Sequence, residues 1–156
     1  MSETFSLDLD AVSREALELD AVLAYAASPM PIRYSVDRLH GRLLTHADGI
    51  VTFHDINAHL DLEQRDRNLD RPELIDARGA KTNLTADEVR RLVQRAASML
   101  RNVELGPTAI VTDNDVVFGM ARMYSLLAEN AGVVAEVFRD LESAAQWLDW
   151  IAIQHQ

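Results

Sequence analysis

The spacing of apolar side chains alternates along the chain between a repeat of about two residues and a repeat of about 3.6. Residues 32–37 alternate apolar with polar side chains, which predicts a half-buried strand, and residues 41–46 are predicted to be its hairpin partner. Residues 73–76, 108–112 and 133–138 are the other predicted strands. Five strands are therefore expected after residue 30.

The longer repeat predicts four helices in the same part of the chain, and polar residues mark where they begin. Thr52 is a predicted N-cap, and Thr85 with Glu88 three residues later has the sequence of a capping box. The third predicted helix runs from residue 113 to about 130, and the last covers residues 140–153.

Strands and helices alternate after the hairpin, and this order predicts the fold class. Strand–helix–strand successions place their strands parallel. We therefore predict an α/β domain over residues 30–156, with a mixed, mostly parallel sheet, an N-terminal β-hairpin and flanking helices. Residues 1–29 are set apart by their acidity and by the helix-breaking Pro29 and Pro31, and their spacing predicts one extra N-terminal helix.

Charge and composition exclude several functional classes. The 156 residues include 25 acidic and 15 basic side chains, a formal net charge of −10, whereas nucleic acids bind basic surfaces. The chain has no cysteine, which excludes disulfides, thiolate catalysis and Cys-ligated metals. The apolar runs are too short for membrane insertion, and the start of the sequence lacks a secretory pattern, so we expect a cytoplasmic protein.

Several segments resemble the STAS domain superfamily, and most closely its uncharacterised bacterial SpoIIAA-like (STAS-like) proteins. They are Met30-Pro31-Ile32-Arg33-Tyr34, Leu74-Ile75-Asp76-Ala77-Arg78-Gly79, Val117-Phe118-Gly119-Met120-Ala121-Arg122-Met123, Val137-Phe138-Arg139-Asp140-Leu141 and Ala144-Ala145-Gln146-Trp147-Leu148. The resemblance implies a STAS-like domain over residues 30–156. It also implies a non-catalytic regulatory module without a cofactor, which binds a protein partner as anti-sigma-factor antagonists do.

Thr85 stands where STAS antagonists carry a regulatory serine, nine positions after a strand-end aspartate that is Asp76 here. The resemblance implies that Thr85 and the loop before it, with Asp76, Arg78 and Lys81, contact the partner. Leu84 stands where the family has an acid. Helix capping alone also explains Thr85, so both interpretations stay open.

Polar residues follow the predicted strands at the carboxyl edge of the sheet, where open α/β sheets bind ligands. Asp113 and Asn114 follow the fourth strand, and with Asp76 and Arg78 they are a candidate rim for a small ligand. Helix capping by Asp113 or Asn114 and ion pairing of Arg78 explain the same residues. An enzyme acting through Asp76, Arg78 and Asp113 is the least favoured alternative, because no recognised catalytic set is present.

The last two predicted helices carry more apolar side chains than one buried face needs. Phe118 and Met123 in the third helix, and Trp147 and Trp150 in the fourth, are a candidate interface for a protein partner or a second copy of the chain. In the alternative, Phe118, Met120 and Met123 line the pocket of a carrier for a small apolar ligand or lipid, with a STAS/CRAL-TRIO-like fold.

The first predicted helix carries His54, Asp55, His59 and Glu63. Asp55, His59 and Glu63 follow one another at intervals of four, so neighbouring pairs meet on one face. His54 lies about 140° around the helix from His59, so the two histidines do not converge. A metal needs about three convergent ligands. We therefore expect no metal site here and predict a solvent-exposed helix face.

Overall fold

Residues 30–154, which the computed structural model describes, form five strands and four helices in the predicted order. The strands are β1 (Ile32–Asp37), β2 (Arg42–Val51), β3 (Glu73–Thr82), β4 (Thr108–Val111) and β5 (Ala135–Phe138). The helices are α1 (Phe53–Arg65), α2 (Ala86–Met99), α3 (Asp115–Asn130) and α4 (Leu141–Gln154). The extra helix predicted within residues 1–29 lies outside the described residues.

The five strands form one sheet in the order β1-β2-β3-β4-β5. β1 and β2 are an antiparallel hairpin, and Gly41 takes a φ of 65° at its turn, a conformation that glycine adopts without strain. The other three pairings are parallel. The predicted fold class, an α/β domain with a mostly parallel mixed sheet and an N-terminal hairpin, is confirmed.

β2 and β3 are each ten residues long, so the predicted ends of these strands at residues 46 and 76 are wrong. A bulge between His46 and Asp48 shifts the register of the pair. Beyond it the two strands continue side by side as far as Val51 and Thr82. The longer pairing satisfies the backbone hydrogen-bonding groups of both strands.

The extension of β3 changes the setting of three candidate residues. Asp76, Arg78 and Lys81 lie within the strand, and not in a loop that leads to Thr85. The alternation of a strand sends Arg78 to the surface and buries its neighbour Ala77. The predicted contact loop over residues 76–84 is therefore reduced to the short connection after Thr82.

Helices cover both faces of the sheet. Ile75 and Ile110 pack on one face with side chains of α1 and α3. Leu74 and Val111, which adjoin Ile75 and Ile110 in their strands, pack on the other face with Ala144 of α4. Since α2 packs against α3, the helices α1, α2 and α3 share one face and α4 covers the other.

Side-chain caps start the first three helices where the sequence predicts them. Thr52 and Thr85 each form a complete capping box, in which Asp55 and Glu88 donate backbone N–H groups to the threonine hydroxyls at 3.2 Å. The carboxylates of Asp55 and Glu88 accept the N–H groups of the two threonines in return. Asn114 caps α3 through its side-chain oxygen.

None of the helices in residues 30–154 combines the length and the apolar character that crossing a membrane requires.

Candidate functional site

One histidine and two glutamates meet inside the domain, between α1 and β3. His59 and Glu63 lie one turn apart on α1, and Glu73 is the first residue of β3. The Nε2 atom of His59 lies 2.7 Å from Oε1 of Glu63 and 2.8 Å from Oε1 of Glu73. The three side chains are 7 %, 5 % and 9 % exposed. We call these three residues the His–Glu–Glu cluster.

The cluster contradicts the solvent-exposed face predicted for α1. His59 and Glu63 are buried, whereas His54 on another side of the helix is exposed. Glu73 explains the difference, because it provides a second carboxylate for His59 from outside the helix. The sequence does indicate this partner. Glu73 and the inward-facing Ile75 are two residues apart in the strand, so their side chains lie on the same face of the sheet.

Residues of the hairpin hold the His–Glu–Glu cluster in place. The Thr45 hydroxyl of β2 donates to Oε1 of Glu73 at 2.6 Å. The ring of Tyr34 in β1 stands edge-on to the imidazole of His59, with 5.6 Å between the centroids and 77° between the planes. The Tyr34 hydroxyl accepts from Asn68 at 3.1 Å, which fixes the ring from its other end. The orientation of His59 is therefore set by its own helix α1 and by the strands β1 and β3.

The charges in the His–Glu–Glu cluster are strongly coupled. Burial lowers the pKa of His59, but the close contacts with the Glu63 and Glu73 carboxylates and their charges outweigh it and raise this pKa to about 10. Burial also raises the pKa of Glu63 to about 7, against the attraction of His59. Although burial opposes it, the hydrogen bond from His59 holds the pKa of Glu73 below its usual range. An imidazolium beside the Glu73 carboxylate is thus the favoured neutral-pH state.

Tyr124 of α3 is affected by the same charges. Burial raises the pKa of Tyr124 to about 12, and the nearby carboxylates of Glu73 and Glu63 act in the same direction. The phenol therefore stays protonated throughout the physiological range.

One oxygen atom of the His–Glu–Glu cluster receives no aligned hydrogen bond from residues 30–154. Oε1 of Glu63 is buried and forms an ion pair with Nε2 of His59 at 2.7 Å, but that nitrogen is hydrogen-bonded to Glu73. The ligand atoms of the three residues all lie within 4.8 Å of one another. One imidazole nitrogen and two carboxylate oxygens can hold a metal ion as well as a proton.

A cavity of about 190 Å³ borders the cluster on the α1–α3 face of the sheet. His59 and Glu73 are part of its wall, and most of the remaining wall is aliphatic, with Ile75, Ile110 and Leu92 among the lining residues. The exposed Lys81 also lines the cavity, which therefore reaches the surface beside β3. Apolar walls with a few polar groups are typical of ligand pockets.

Only one of the three predicted pocket residues lines this cavity. Met120 does so, together with Val117 and Tyr124 from the same stripe of α3. Phe118 and Met123 do not, and the expectation for these two is wrong. Both lie on α3 beside the stripe that faces the sheet, so their side chains are directed past the cavity.

The structure places Thr85 at the surface and engages its side chain in the cap of α2. The Thr85 hydroxyl lies 3.2 Å from a carboxylate oxygen of Glu88. Lys81 is exposed on β3. These contacts agree with the capping interpretation of Thr85. The regulatory interpretation stays a prediction.

The candidate rim residues are largely occupied with one another. Arg78 donates from Nε and Nη2 to the two carboxylate oxygens of Asp76 at 2.9 and 2.8 Å. The hydrogen bonds from Arg78 hold the pKa of Asp76 below its usual range. The Asn114 side-chain oxygen caps α3, and Asp113 is exposed, with its backbone carbonyl accepting from Arg139.

The four candidate interface residues are divided between the two faces of the sheet. Phe118 and Met123 on α3 are half-buried, and the guanidinium of Arg139 lies 4.0 Å from the ring centroid of Phe118. On α4, Trp147 is half-buried against Phe138, whereas Trp150 is 56 % exposed. The proposed interface role of these four residues stays a prediction.

The sequence matches no protein-family model and no curated protein. Among solved structures, the fold is similar to that of an uncharacterised protein of the DUF3478 family with a SpoIIAA-like fold from Shewanella loihica PV-4. The two chains are 19% identical, the alignment covers 75% of this chain and 93% of that one, and the TM-score is 0.49.

Proposed function

We propose that this protein binds a small, largely apolar molecule in the cavity between the sheet and helices α1–α3, without transforming it. The observation that carries the proposal is a cavity of about 190 Å³ with mainly apolar walls on the α1–α3 face of the sheet. Interiors of proteins leave few voids larger than a water molecule, so a space of this size needs an explanation.

The size of the cavity limits the ligand. An engineered apolar cavity of about 150 Å³ in another protein stays dry and binds benzene. A volume of about 190 Å³ therefore suits a compound with one or two small rings, such as indole, better than a long acyl chain. A polar substituent on the ligand would lie against the polar part of the cavity wall, which His59 and Glu73 form.

The contacts of the polar wall support binding rather than catalysis. A general acid or base must reach a proton of the substrate. Nε2 of His59 is directed at Glu73, and Oε1 of Glu73 also accepts from Thr45. These atoms are satisfied within the protein, so they provide a polar border to the cavity and no free catalytic group.

Filling the cavity tests the proposal. Ala77 lines the cavity and is buried, so Ala77→Leu places a larger side chain where the ligand would lie. Titration of the full chain with indole, followed by the NMR signal of the Met120 methyl group, is expected to show saturable binding. In Ala77→Leu the dissociation constant should increase at least about tenfold.

Ala145→Leu is the matched control, because Ala145 is half-buried on α4, on the opposite face of the sheet. This variant should bind indole as the wild type does. If a panel of one- and two-ring compounds produces no saturable shift in the wild type, or if Ala77→Leu binds equally well, the cavity is not a ligand site.

A second candidate is the cytoplasmic regulatory role, with a protein partner, that the STAS resemblance implies. The exposure of Thr85 at the start of α2 favours it, since a modifying enzyme can reach this side chain. A phosphate at this position would carry about two negative charges to a helix N-terminus, where they are stabilised. It would also displace the Glu88 carboxylate, which lies 3.2 Å from the hydroxyl.

Mass spectrometry of the protein from its native cells tests the regulatory candidate. A phosphoryl group is expected on the peptide that contains Thr85 and not on the peptide that contains Thr52, which forms the same capping box at α1. An unmodified Thr85 peptide under all growth conditions would remove the support for this role.

A further inference from the structure

We propose that His59, Glu63 and Glu73 bind one divalent transition-metal ion. The three residues are brought together by two neighbouring elements, since α1 supplies His59 and Glu63 from successive turns and β3 begins with Glu73. His59 and Glu73 also border the cavity proposed above for an apolar ligand, but ion binding does not depend on whether that ligand binds.

The positions of the ligand atoms suit a single ion. Nε2 of His59 is 2.7 and 2.8 Å from the two nearest glutamate oxygens, and all the ligand atoms lie within 4.8 Å of one another. Around a tetrahedral ion with bonds of about 2.0–2.1 Å, neighbouring ligand atoms are about 3.3–3.4 Å apart. Small rotations of the two carboxylates therefore make room for the ion.

The Oε1 atom of Glu63 is a second observation that suits a cation. Within residues 30–154 it is buried and receives no aligned hydrogen bond, and its contact is the ion pair with Nε2 of His59 at 2.7 Å. A buried polar atom without a partner costs about 1–3 kcal/mol, and more when the group is charged. A cation in the cluster would coordinate this oxygen directly and remove that cost.

Charge and donor type define the class of ion. The ion would displace the proton of the His59 imidazolium, which leaves to the solvent. Two carboxylates and a neutral imidazole then carry two negative charges, which a divalent cation balances. The imidazole nitrogen favours zinc, cobalt, iron or nickel over magnesium, calcium and manganese, which prefer oxygen ligands.

The surroundings resemble those of a supported metal site. The Thr45 hydroxyl donates to Oε1 of Glu73 at 2.6 Å, as groups outside the coordination sphere do when they orient a ligand. The Tyr34 ring fixes the plane of the His59 imidazole from the side. Because His59 and Glu73 line the cavity, a coordination position of the ion would face that space and admit water.

Metal titration of the full chain tests the proposal. After removal of metals with a chelator, the protein is titrated with Co²⁺, followed by its visible absorption, and with Zn²⁺, followed by calorimetry. We expect one ion per chain and displacement of Co²⁺ by Zn²⁺, and much weaker binding of Mg²⁺. At a free Zn²⁺ concentration of about one hundred times the dissociation constant, the Tm should increase by about 5–10 °C.

Three variants separate this site from adventitious binding. His59→Gln should weaken Co²⁺ binding at least about 100-fold, whereas His54→Gln makes the same change at an exposed position of α1 and should leave it unaltered. Thr45→Val retains all three ligands and removes the hydrogen bond to Glu73, so it should weaken binding about tenfold.

Two results would overturn the proposal. One is the absence of saturable Co²⁺ or Zn²⁺ binding and of any Tm increase in the wild-type protein, which does not depend on the folding of any variant. The other is equal affinity in the wild type and in a folded His59→Gln variant, which would place the ion elsewhere.

Discussion

His59 places one nitrogen atom between two carboxylate oxygens in a region that is closed to bulk solvent. Its side chain is 7 % exposed, and the carboxylates of Glu63 and Glu73 lie 2.7 and 2.8 Å away. Removing one member of a buried charged group leaves the others without compensation, which is strongly destabilising. The stability of the metal-free domain should therefore depend on this imidazole.

Replacing His59 with leucine tests this dependence. His59→Leu is expected to lower the free energy of unfolding by about 3–5 kcal/mol, because two buried glutamates then face each other without a cation. Denaturant unfolding measured in the presence of a chelator gives the value. His54→Leu, at an exposed position of the same helix, should change it by less than about 0.5 kcal/mol, and equal effects of the two substitutions would contradict the argument.

Asp76 provides a second prediction at the level of the residue, through the pH dependence of stability. Hydrogen bonds from Arg78 lower the pKa of Asp76 in the folded protein. A lowered folded-state pKa gives a contribution that is present above about pH 4 and is lost as the pH falls through the folded-state pKa. Since the Arg78 side chain is 49% exposed, screening keeps this contribution below about 1 kcal/mol.

Unfolding measured between about pH 2 and pH 6 shows the effect. The wild type should exceed Asp76→Asn in stability at the upper end of this range, and the difference should vanish at the lower end. Asp113→Asn is the control, because the exposed Asp113 side chain forms no comparable ion pair within residues 30–154. A difference between wild type and Asp76→Asn that grows on acidification would contradict the assigned role.

Individual residues also show which contacts of the site the sequence does not predict. The interval between His59 and Glu63 is visible in the sequence, and by itself it predicts a polar helix face. Their partner Glu73 is ten residues beyond Glu63, and only the parallel packing of β3 beside β2 and under α1 makes it a neighbour. Caps such as Thr52 and Thr85 were predictable because they depend on contacts within four residues.

The boundaries of helices and strands were also predictable only where local contacts determine them. The starts of α1, α2 and α3 agree with their cap residues, whereas β2 and β3 extend well beyond their predicted ends. Pairing between residues about thirty positions apart supports these extensions. A strand that owes its length to a distant partner leaves little trace in its own local pattern.

Gly106 lies in the connection between α2 and β4, where two backbone segments pack closely. A Cβ atom at Gly106 would overlap the backbone carbonyl of Arg71, whereas at Gly79 it would meet only the carboxylate end of Asp48. A flexible side chain can move aside and a backbone cannot. Gly106→Ala should therefore destabilise the protein by about 2–3 kcal/mol, and Gly79→Ala by less than about 1 kcal/mol.

Thermal or denaturant unfolding of the two glycine variants, with far-UV circular dichroism to verify folding, provides the comparison. Equal stabilities would mean that the connection carrying Gly106 adjusts freely. Its amide donates to the Leu69 carbonyl at 2.9 Å, a contact that argues against such freedom.

At the scale of the whole domain, the layer arrangement was predictable and the cavity was not. Alternation of strands with helices implies parallel pairing and helices on the sheet, and the structure has both. The cavity arises because small side chains, Ala47, Ala77 and Ala80, form the sheet surface beneath α1–α3. The distance between the helices and these alanines determines whether a cavity remains, and the sequence alone does not specify that distance.

The order of the strands has a consequence for how the domain is made. Position in the sheet and position in the chain increase together from β1 to β5. Each strand leaving the ribosome therefore finds its partner already synthesised, in the strand immediately before it. The sheet can grow at one edge in the direction of translation, and no early strand has to wait for a partner that is synthesised much later.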